Sequence, residues 1–276
     1  MKEITKNLLD SIIREIKVYG YAKLPGFLAD SEVVNLKAKV NAFYEESSNL
    51  KFSGIPDRDA RDKIVYNLQN KDVDFIQLLS NSSMQKILMT FLNDKFYRFL
   101  PEDCPNYILS YYNARSSGNK LDLHIDSYVP ACSDYTWAMQ VVFVLEEFRE
   151  DNGATVVVPG SHNSGKYTDR NLTQDQVKIV LANPGDVIFW DSRLWHGTLE
   201  NLSGASRWAL VATVSQWWIK QSTDITRILP QDIYQELSDA EKALLGFCSI
   251  PPRSEKERIN TKCGYEYLKD TVEEYY

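Results

Sequence analysis

The sequence is poor in several features that mark particular protein classes. Its 276 residues include only four cysteines, and no two have Cys-x-x-Cys spacing, so neither a zinc cluster nor a disulfide framework is indicated. No apolar run approaches the roughly 20 residues that a membrane-spanning helix needs. Residues 1–20 alternate charged and apolar side chains and lack the apolar segment of a signal peptide. We therefore expect a cytoplasmic protein that does not span a membrane.

An excess of positive charge is also lacking. The chain has 31 lysines and arginines against 38 aspartates and glutamates, and its formal net charge is −7. An acidic balance argues against nucleic acid or an anionic membrane surface as the main partner. The hydrophobic content of 43% is that of a folded globular protein. The oligomeric state stays open at this point.

Helical patterns lie toward both ends of the chain. Apolar side chains recur at helical spacing over residues 3–18, where Gly20 is expected to end the helix, and again over 31–47. Helical patterns return at about 72–93 and over 229–247. The sequence contains no internal repeat and no low-complexity segment, so these helices are expected to accompany one folded core.

The middle of the chain has the pattern of a β protein. From about residue 96 to 220, short runs of β-branched and aromatic residues alternate with Gly, Pro, Asn and Asp, which is typical of a barrel or a two-sheet jelly roll. We predict a mainly β fold with flanking helices. A single domain over residues 1–276 would have its β core at about 96–220 and helical elements at 1–95 and 221–276.

Histidine is scarce too, and two of the three histidines stand in suggestive places. His124 lies in LDLHID, two residues before Asp126. Since residues i and i+2 of a strand share a face, a strand here would direct both side chains toward one metal ion. An aspartate stands at this spacing by chance in roughly one such sequence in five. The pair therefore needs a third ligand, and the candidates are His162 and His196.

The segment NPGDVIFWDSRLWHG indicates a turn, a strand and then His196 just past the strand. Arg207 follows and opens the next predicted strand. Two imidazoles and one carboxylate, with three coordination positions left open, are typical of the facial triad of non-haem iron(II) oxygenases. An arginine fork binds a carboxylate through two parallel hydrogen bonds. The combination suits 2-oxoglutarate, which chelates a metal at one end and presents a carboxylate at the other.

Taken in order, these motifs resemble the phytanoyl-CoA dioxygenase family of iron(II)- and 2-oxoglutarate-dependent oxygenases. The resemblance runs from about residue 18 to 250. It rests on HxD at 124–126, DNGATVVVPGSH at 151–162, PGDVIFWDSRLWHG at 184–197 and Arg207. It implies a double-stranded β-helix, a cupin-like jelly roll, that uses Fe(II), 2-oxoglutarate and O₂. The implied metal ligands, which form the catalytic centre, are His124, Asp126 and His196.

The resemblance also assigns positions around the co-substrate. Arg207 matches the residue that holds the distal carboxylate of 2-oxoglutarate. Four further positions match residues that contact the co-substrate, although each is also explained as an ordinary strand, core or helix residue: Thr155, Tyr111, Thr198 and Asn67. His162, which follows a Pro-Gly turn, is interpreted as a turn-stabilising or surface residue rather than a ligand.

The implied reaction is oxidation of an unactivated C–H bond of a small-molecule substrate, such as one of secondary metabolism, with release of succinate and CO₂. Halogenating members of the family replace the metal carboxylate by a small residue, so Asp126 favours hydroxylation. Two other interpretations stay open. A zinc-dependent hydrolase would use the same ligands with a general base and would not need Arg207. A jelly roll that binds a small molecule without catalysis would have lost the triad or the arginine, and both are present.

Overall fold

The chain is described by a computed structural model. The described residues are 1, 3–47, 62–97, 100–101, 104–169, 172 and 174–251. The chain divides into two compact units, Met1–Tyr66 with Tyr112–Ala212 and Asn67–Tyr111 with Thr213–Tyr276. The single-domain interpretation stays a prediction, and its last part, residues 252–276, lies outside the described residues. None of the helices described is long and apolar enough to cross a membrane.

The described residues form seven helices and ten strands. The helices are α1 (Lys6–Tyr19), α2 (Asp30–Ser47), α3 (Val73–Ser80), α4 (Ser82–Leu92), α5 (Ile225–Ile228), α6 (Gln231–Glu236) and α7 (Asp239–Leu244). The strands are β1 (Tyr21–Leu24), β2 (Lys63–Val65), β3 (Ile108–Ser116), β4 (Leu121–His124), β5 (Ala138–Val144), β6 (Thr155–Val157), β7 (Lys178–Val180), β8 (Val187–Asp191), β9 (His196–Thr198) and β10 (Ala209–Ser215). The predicted concentration of strands between 96 and 220 is confirmed. The region predicted to be helical, 1–95, also contributes β1 and β2.

The strands form two sheets. The larger has the order β1-β8-β5-β10-β3-β2 and the smaller has the order β4-β9-β6-β7. In the first unit one apolar core joins both sheets. Its members from the larger sheet are Val142, Val144, Ile188, Trp190 and Ala209, and those from the smaller sheet and its flanking loops are Ala154, Val157, Val180, Ala182 and Leu194. Two sheets that pack around a shared core form a β-sandwich, the architecture to which jelly rolls belong. The predicted mainly β, cupin-like fold is therefore confirmed.

The helices of the first unit pack on the larger sheet. α1 contacts β1 and β8, and α2 contacts β2. The side chain of Thr5 accepts from the N–H of Leu8, and Gly20 ends α1 with φ of +82°. Glycine adopts this left-handed conformation without steric cost, which confirms the predicted helix end.

In the second unit, two predicted helical stretches are each broken by a residue that caps a new helix. Asn81 has extended backbone and its side chain accepts from the N–H of Ser83, which separates α3 from α4. Ser238 forms a capping box with Glu241 and separates α6 from α7. Asn and Ser compete with helical hydrogen bonds and start helices instead. The predicted helical stretches 72–93 and 229–247 are therefore present, and each is divided into two helices.

Candidate metal and co-substrate site

Three side chains of the first unit converge on one point. Nε2 of His124 lies 3.5 Å from Oδ1 of Asp126, and Nε2 of His196 lies 3.3 Å from Oδ2 of the same carboxylate. All three ligand atoms lie within 4.8 Å of one another. Donors about 2.1 Å from a single ion lie about 3 Å apart in neighbouring coordination positions. The spacing therefore fits a single metal ion held by two imidazoles and a carboxylate.

Strand pairing places the two histidines side by side. His124 at the end of β4 is the antiparallel partner of His196 at the start of β9, and the two ring centroids lie 4.3 Å apart. A register shift separates this pair from the pair Leu121 and Thr198, as in the β-bulges that often accompany active sites. A Cβ at Gly197 would collide with the carbonyl oxygen of Leu121. Glycine after His196 thus allows β4 to approach closely enough for the pairing.

Asp126 is positioned by backbone contacts rather than by the strand. β4 ends at His124, so the prediction that one strand carries both ligands is wrong for Asp126. The carbonyl of Ser192 instead accepts from the N–H of Asp126 at 2.8 Å and from the N–H of Ser127 at 3.1 Å. These hydrogen bonds tie the turn after β4 to the segment that leads to His196.

A buried ion pair reinforces that connection. The Arg193 guanidinium donates to both carboxylate oxygens of Asp191, at 2.9 and 2.7 Å, and to the carbonyl of Ser133 at 2.6 Å. Arg193 thereby joins the loop that follows Asp126 to the turn before His196. This role of Arg193 was not predicted, because the Ser133 carbonyl that it reaches is remote in sequence and no local pattern marks the contact.

Backbone carbonyls fix the orientation of both histidines. Nδ1 of His124 lies 2.9 Å from the carbonyl of Asp122, and Nδ1 of His196 lies 3.0 Å from that of Leu194. A carbonyl only accepts, so Nδ1 carries the proton and Nε2 keeps its lone pair for a metal. Burial lowers the pKa of His196, which favours the neutral ligand. Burial also opposes protonation of His124, but the Asp126 carboxylate and the Asp122 carbonyl outweigh it and raise the pKa of His124.

The carboxyl group of Asp126 stays ionised. Burial works against the charge, yet His196 and then His124 lower the pKa of Asp126 below its usual value. A carboxylate and two neutral imidazoles are the donor set that divalent iron accepts. The residues present therefore fit the metal that the sequence motifs imply.

Arg207 is a buried cation whose guanidinium forms no hydrogen bond or ion pair with a described residue. Its exposed fraction is 4%, and its Nε atom has no hydrogen-bond partner in the part of the chain that the structure describes. The guanidinium carbon lies 4.1 Å from the ring centroid of Phe148. The Glu146 carboxylate attracts Arg207 electrostatically, but its ion pair is with the ammonium of Lys37, at 2.5 Å. The same carboxylate accepts from the N–H of Trp208 at 2.7 Å. Burial lowers the pKa of Arg207 to about 10, so it remains charged at neutral pH.

An unpaired buried charge is costly unless a ligand supplies the counter-charge. Gly153, with φ of +85°, leaves space beside this cation. A Cβ there would lie 3.5 Å from Nε of Arg207 and 3.3 Å from the carbonyl oxygen of Leu199. The buried charge of Arg207, which has no partner among the described residues, thus fits a ligand that carries a carboxylate, as 2-oxoglutarate does.

Thr155 and Thr198 share a sheet face with His196. They are direct partners in β6 and β9, and the next pair on that face is Val157 with His196. Val157 belongs to the core, so this face points inward. The hydroxyl of Thr198 is buried and, among the described residues, has no hydrogen-bond partner. The predicted co-substrate residues Thr155 and Thr198 are therefore close to the metal ligands, and their roles stay predictions.

The other two predicted co-substrate residues belong to the second unit. Tyr111 is a half-buried residue of β3. Asn67 has φ of +54° and precedes a short 3₁₀ turn, where its side-chain oxygen accepts from Gln69 at 3.4 Å. Their contact with a co-substrate stays a prediction.

His162 is not part of the metal site. It lies in a short 3₁₀ turn, as predicted, but only 4% of it is exposed, so the alternative surface location is wrong. A Cβ at Gly20 would lie 2.6 Å from its Nδ1, which shows how closely the ring packs against the end of α1.

Comparison with known proteins identifies the family. Residues 16–209 match the profile of the phytanoyl-CoA dioxygenase (PhyH) family. The chain therefore belongs to this family, and it is an iron- and 2-oxoglutarate-dependent oxygenase. The predicted family, fold and cofactors are confirmed.

Individual relatives agree with this assignment. The dioxygenase af480 of Aspergillus fumigatus is 25% identical over 263 residues, which is 91% of this chain and 80% of the relative. HygX of Streptomyces hygroscopicus, solved with nickel and 2-oxoglutarate bound, is 16% identical with a TM-score of 0.59, covering 79% of this chain and 90% of that one. The epimerase SnoN, solved with Fe³⁺, alpha ketoglutarate and nogalamycin RO, is 15% identical with a TM-score of 0.60, covering 77% and 85%. At these identities the two structures show a shared fold.

Proposed function

We propose that the protein hydroxylates an unactivated C–H bond of a small molecule, with iron held by His124, Asp126 and His196 and 2-oxoglutarate held by Arg207. The observation that carries this proposal is the buried guanidinium of Arg207, which has no partner among the described residues although it lies in the same unit as a metal triad. When bound, iron(II) with 2-oxoglutarate and O₂ supplies an oxidant that attacks C–H bonds, and succinate and CO₂ are released.

In this proposal the triad presents three donors on one side of the metal. The Asp122 and Leu194 carbonyls hold the imidazoles in the tautomer that leaves Nε2 free. The Ser192 carbonyl holds the Asp126 backbone. Because Asp126 occupies the place that a halide would need, oxygen transfer is favoured over halogenation.

Arg207 has the task of orienting the co-substrate. Its planar fork suits two parallel hydrogen bonds to one carboxylate, and the Phe148 ring restricts its position. Burial strengthens such contacts because water does not compete. The Thr198 hydroxyl, without a described partner, and Thr155 opposite it are proposed as further contacts. Tyr111 completes the proposed set, together with Asn67.

A small-molecule substrate, from secondary metabolism, forms part of the proposal. The SnoN structure with nogalamycin RO supports it, as does the acidic net charge of −7, which disfavours polyanionic partners. A cytoplasmic location is proposed from the sequence. The alternative of a zinc hydrolase fits this site less well, because its reaction would give the buried charge of Arg207 no ligand to bind.

The proposal is tested by anaerobic spectroscopy. Fe(II) and 2-oxoglutarate added together should give a weak visible charge-transfer band in the wild-type protein and none in His196→Ala. Arg207→Gln should need at least about tenfold more 2-oxoglutarate for the same band, which corresponds to about 1.4 kcal/mol or more. Arg149→Gln removes an exposed arginine that is paired with Asp151 and Glu147, so it serves as the matched control. An unchanged 2-oxoglutarate requirement in Arg207→Gln would refute the assigned role.

A further inference from the structure

A second arginine of the first unit lies in a cavity near the metal ligands. Arg115 on β3 is the antiparallel partner of Ile64 on β2 and is half-buried. It lines a cavity of about 100 Å³ together with Lys63, Lys120 and Leu121. We name this cavity the Arg115 pocket.

The other charged groups of the Arg115 pocket are already engaged. The carboxylate of Asp62, which also lines it, accepts from the N–H groups of Gly118 and Asn119 at 2.6 and 3.3 Å. Lys120 pairs with the exposed Asp122 at 3.3 Å. The ammonium of Lys63 lies 5.6 Å from the ring centroid of Tyr44.

In contrast, the Arg115 guanidinium forms neither an ion pair nor a hydrogen bond with any residue that the structure describes. A guanidinium is a rigid fork of donors that matches carboxylate and phosphate oxygens. Since no described residue pairs with this half-buried fork, its donors are available for a ligand.

The Arg115 pocket adjoins the candidate active site. Leu121, which lines it, begins β4, and His124 ends the same short strand. Ser116, the residue after Arg115, accepts from the backbone N–H of Arg207 at 2.7 Å. In agreement with this placement, the charge of Arg115 adds to burial in lowering the pKa of Arg207, and it acts against the Asp126 and Asp122 contacts that raise the pKa of His124.

We propose that the Arg115 pocket binds an anionic group, a carboxylate or a phosphate, of the substrate that the enzyme oxidises. This inference rests on the proposed function. There, one end of 2-oxoglutarate lies at the metal and its distal carboxylate lies at Arg207. Arg115 is therefore left for a different anion. The substrate is accordingly an acid or a phosphorylated small molecule, held by its charged end beside the metal.

Binding of small anions tests the proposal before any substrate is known. Benzoate and methyl phosphate are titrated calorimetrically into protein saturated with Mn(II), which replaces iron without turnover, and with 2-oxoglutarate. We expect one saturable site for at least one of them, and the better ligand distinguishes a carboxylate from a phosphate. Arg115→Gln should weaken that binding at least about tenfold, Arg115→Lys should restore part of it, and Arg149→Gln should leave it unchanged.

Several outcomes would overturn the proposal. These are no saturable binding or equal binding by Arg115→Gln. A parallel titration without 2-oxoglutarate adds a third: anion binding that occurs only there would place the anion at Arg207. Loss of 2-oxoglutarate affinity in Arg115→Gln would assign Arg115 to the co-substrate and leave the proposed function standing. Failure of wild-type protein to bind 2-oxoglutarate would refute the proposed function instead, whatever the small anions do.

Discussion

Replacing Arg207 by methionine should stabilise the protein in the absence of its co-substrate. Burial lowers the pKa of Arg207 from 12.5 to about 10. Each pH unit corresponds to about 1.4 kcal/mol, so keeping this charge in the folded protein costs about 3 kcal/mol. The cost is fully present below pH 10, and it fades above pH 10 as the folded protein gives up the proton before the unfolded chain does. A methionine of similar length removes the charge and keeps much of the apolar contact with Phe148.

We expect Arg207→Met to raise the free energy of unfolding by about 1–3 kcal/mol at pH 7. In a chain of this size that corresponds to a melting temperature higher by about 2–4 °C per kcal/mol. Metal and 2-oxoglutarate at about 100 times the dissociation constant should stabilise the wild type by about 2.7 kcal/mol and the variant very little. Thermal and denaturant unfolding, each with and without co-substrate, provide the measurement.

Arg193→Met is the matched control, because Arg193 is equally buried but holds both oxygens of Asp191. Its removal leaves a buried carboxylate unpaired and should cost about 3–5 kcal/mol. If Arg207→Met were destabilised to the same extent, Arg207 would have to be a structural ion-pair partner. Arg207 would then not be the residue that binds a carboxylate ligand.

Three further predictions concern the same site. His124→Ala and Asp126→Ala should each lose Fe(II) binding in calorimetric titration while circular dichroism shows the fold retained; undiminished binding in both variants would rule out the assigned ligands. Gly153→Ala should lower stability by about 1–3 kcal/mol because φ is +85°, and it should also weaken 2-oxoglutarate binding, since the new Cβ lies 3.5 Å from Nε of Arg207. Gly204→Ala, with φ of +72° and no atom within 4 Å of a new Cβ, should lose stability but not co-substrate affinity, and equal affinity losses would contradict the crowding argument. Once a substrate is found, mass spectrometry under ¹⁸O₂ in excess chloride should show one oxygen atom from O₂, or an unsaturation or ring, and no chlorine; a chlorinated product would contradict the role given to Asp126.

The parts of the site that were predictable are those encoded in short patterns. His124 and Asp126 form an HxD pair and His196 ends a turn-strand segment, and the resemblance of these motifs to a known family implied all three ligands. The hydrogen bonds that position these ligands could not be predicted from the sequence. Arg193 reaches Ser133 across a long stretch of chain, and no periodicity marks a contact between two loops.

The features of the fold that the sequence did not predict have a similar origin. Asn81 and Ser238 stand inside apolar patterns that continue on both sides, so hydrophobic spacing marked the helical stretches but not the capping residues that divide them. His162 was placed correctly in a turn, but its burial depends on Gly20, a residue remote in sequence that leaves room for the ring. Local patterns predict elements, and long-range packing decides where they end and what they cover.

The pairing of His124 with His196 also bears on how an ion would enter and leave. Bringing together two donors separated by a flexible loop of about 70 residues would cost on the order of 4 kcal/mol in chain entropy. Here the two residues are neighbours in adjoining strands, so formation of the sheet already brings them together. The two imidazoles are therefore in position before a metal ion binds. Metal exchange should consequently proceed without unfolding. Asp126 lies beyond the end of β4, so its place depends on the Ser192 carbonyl and not on the pairing of the strands.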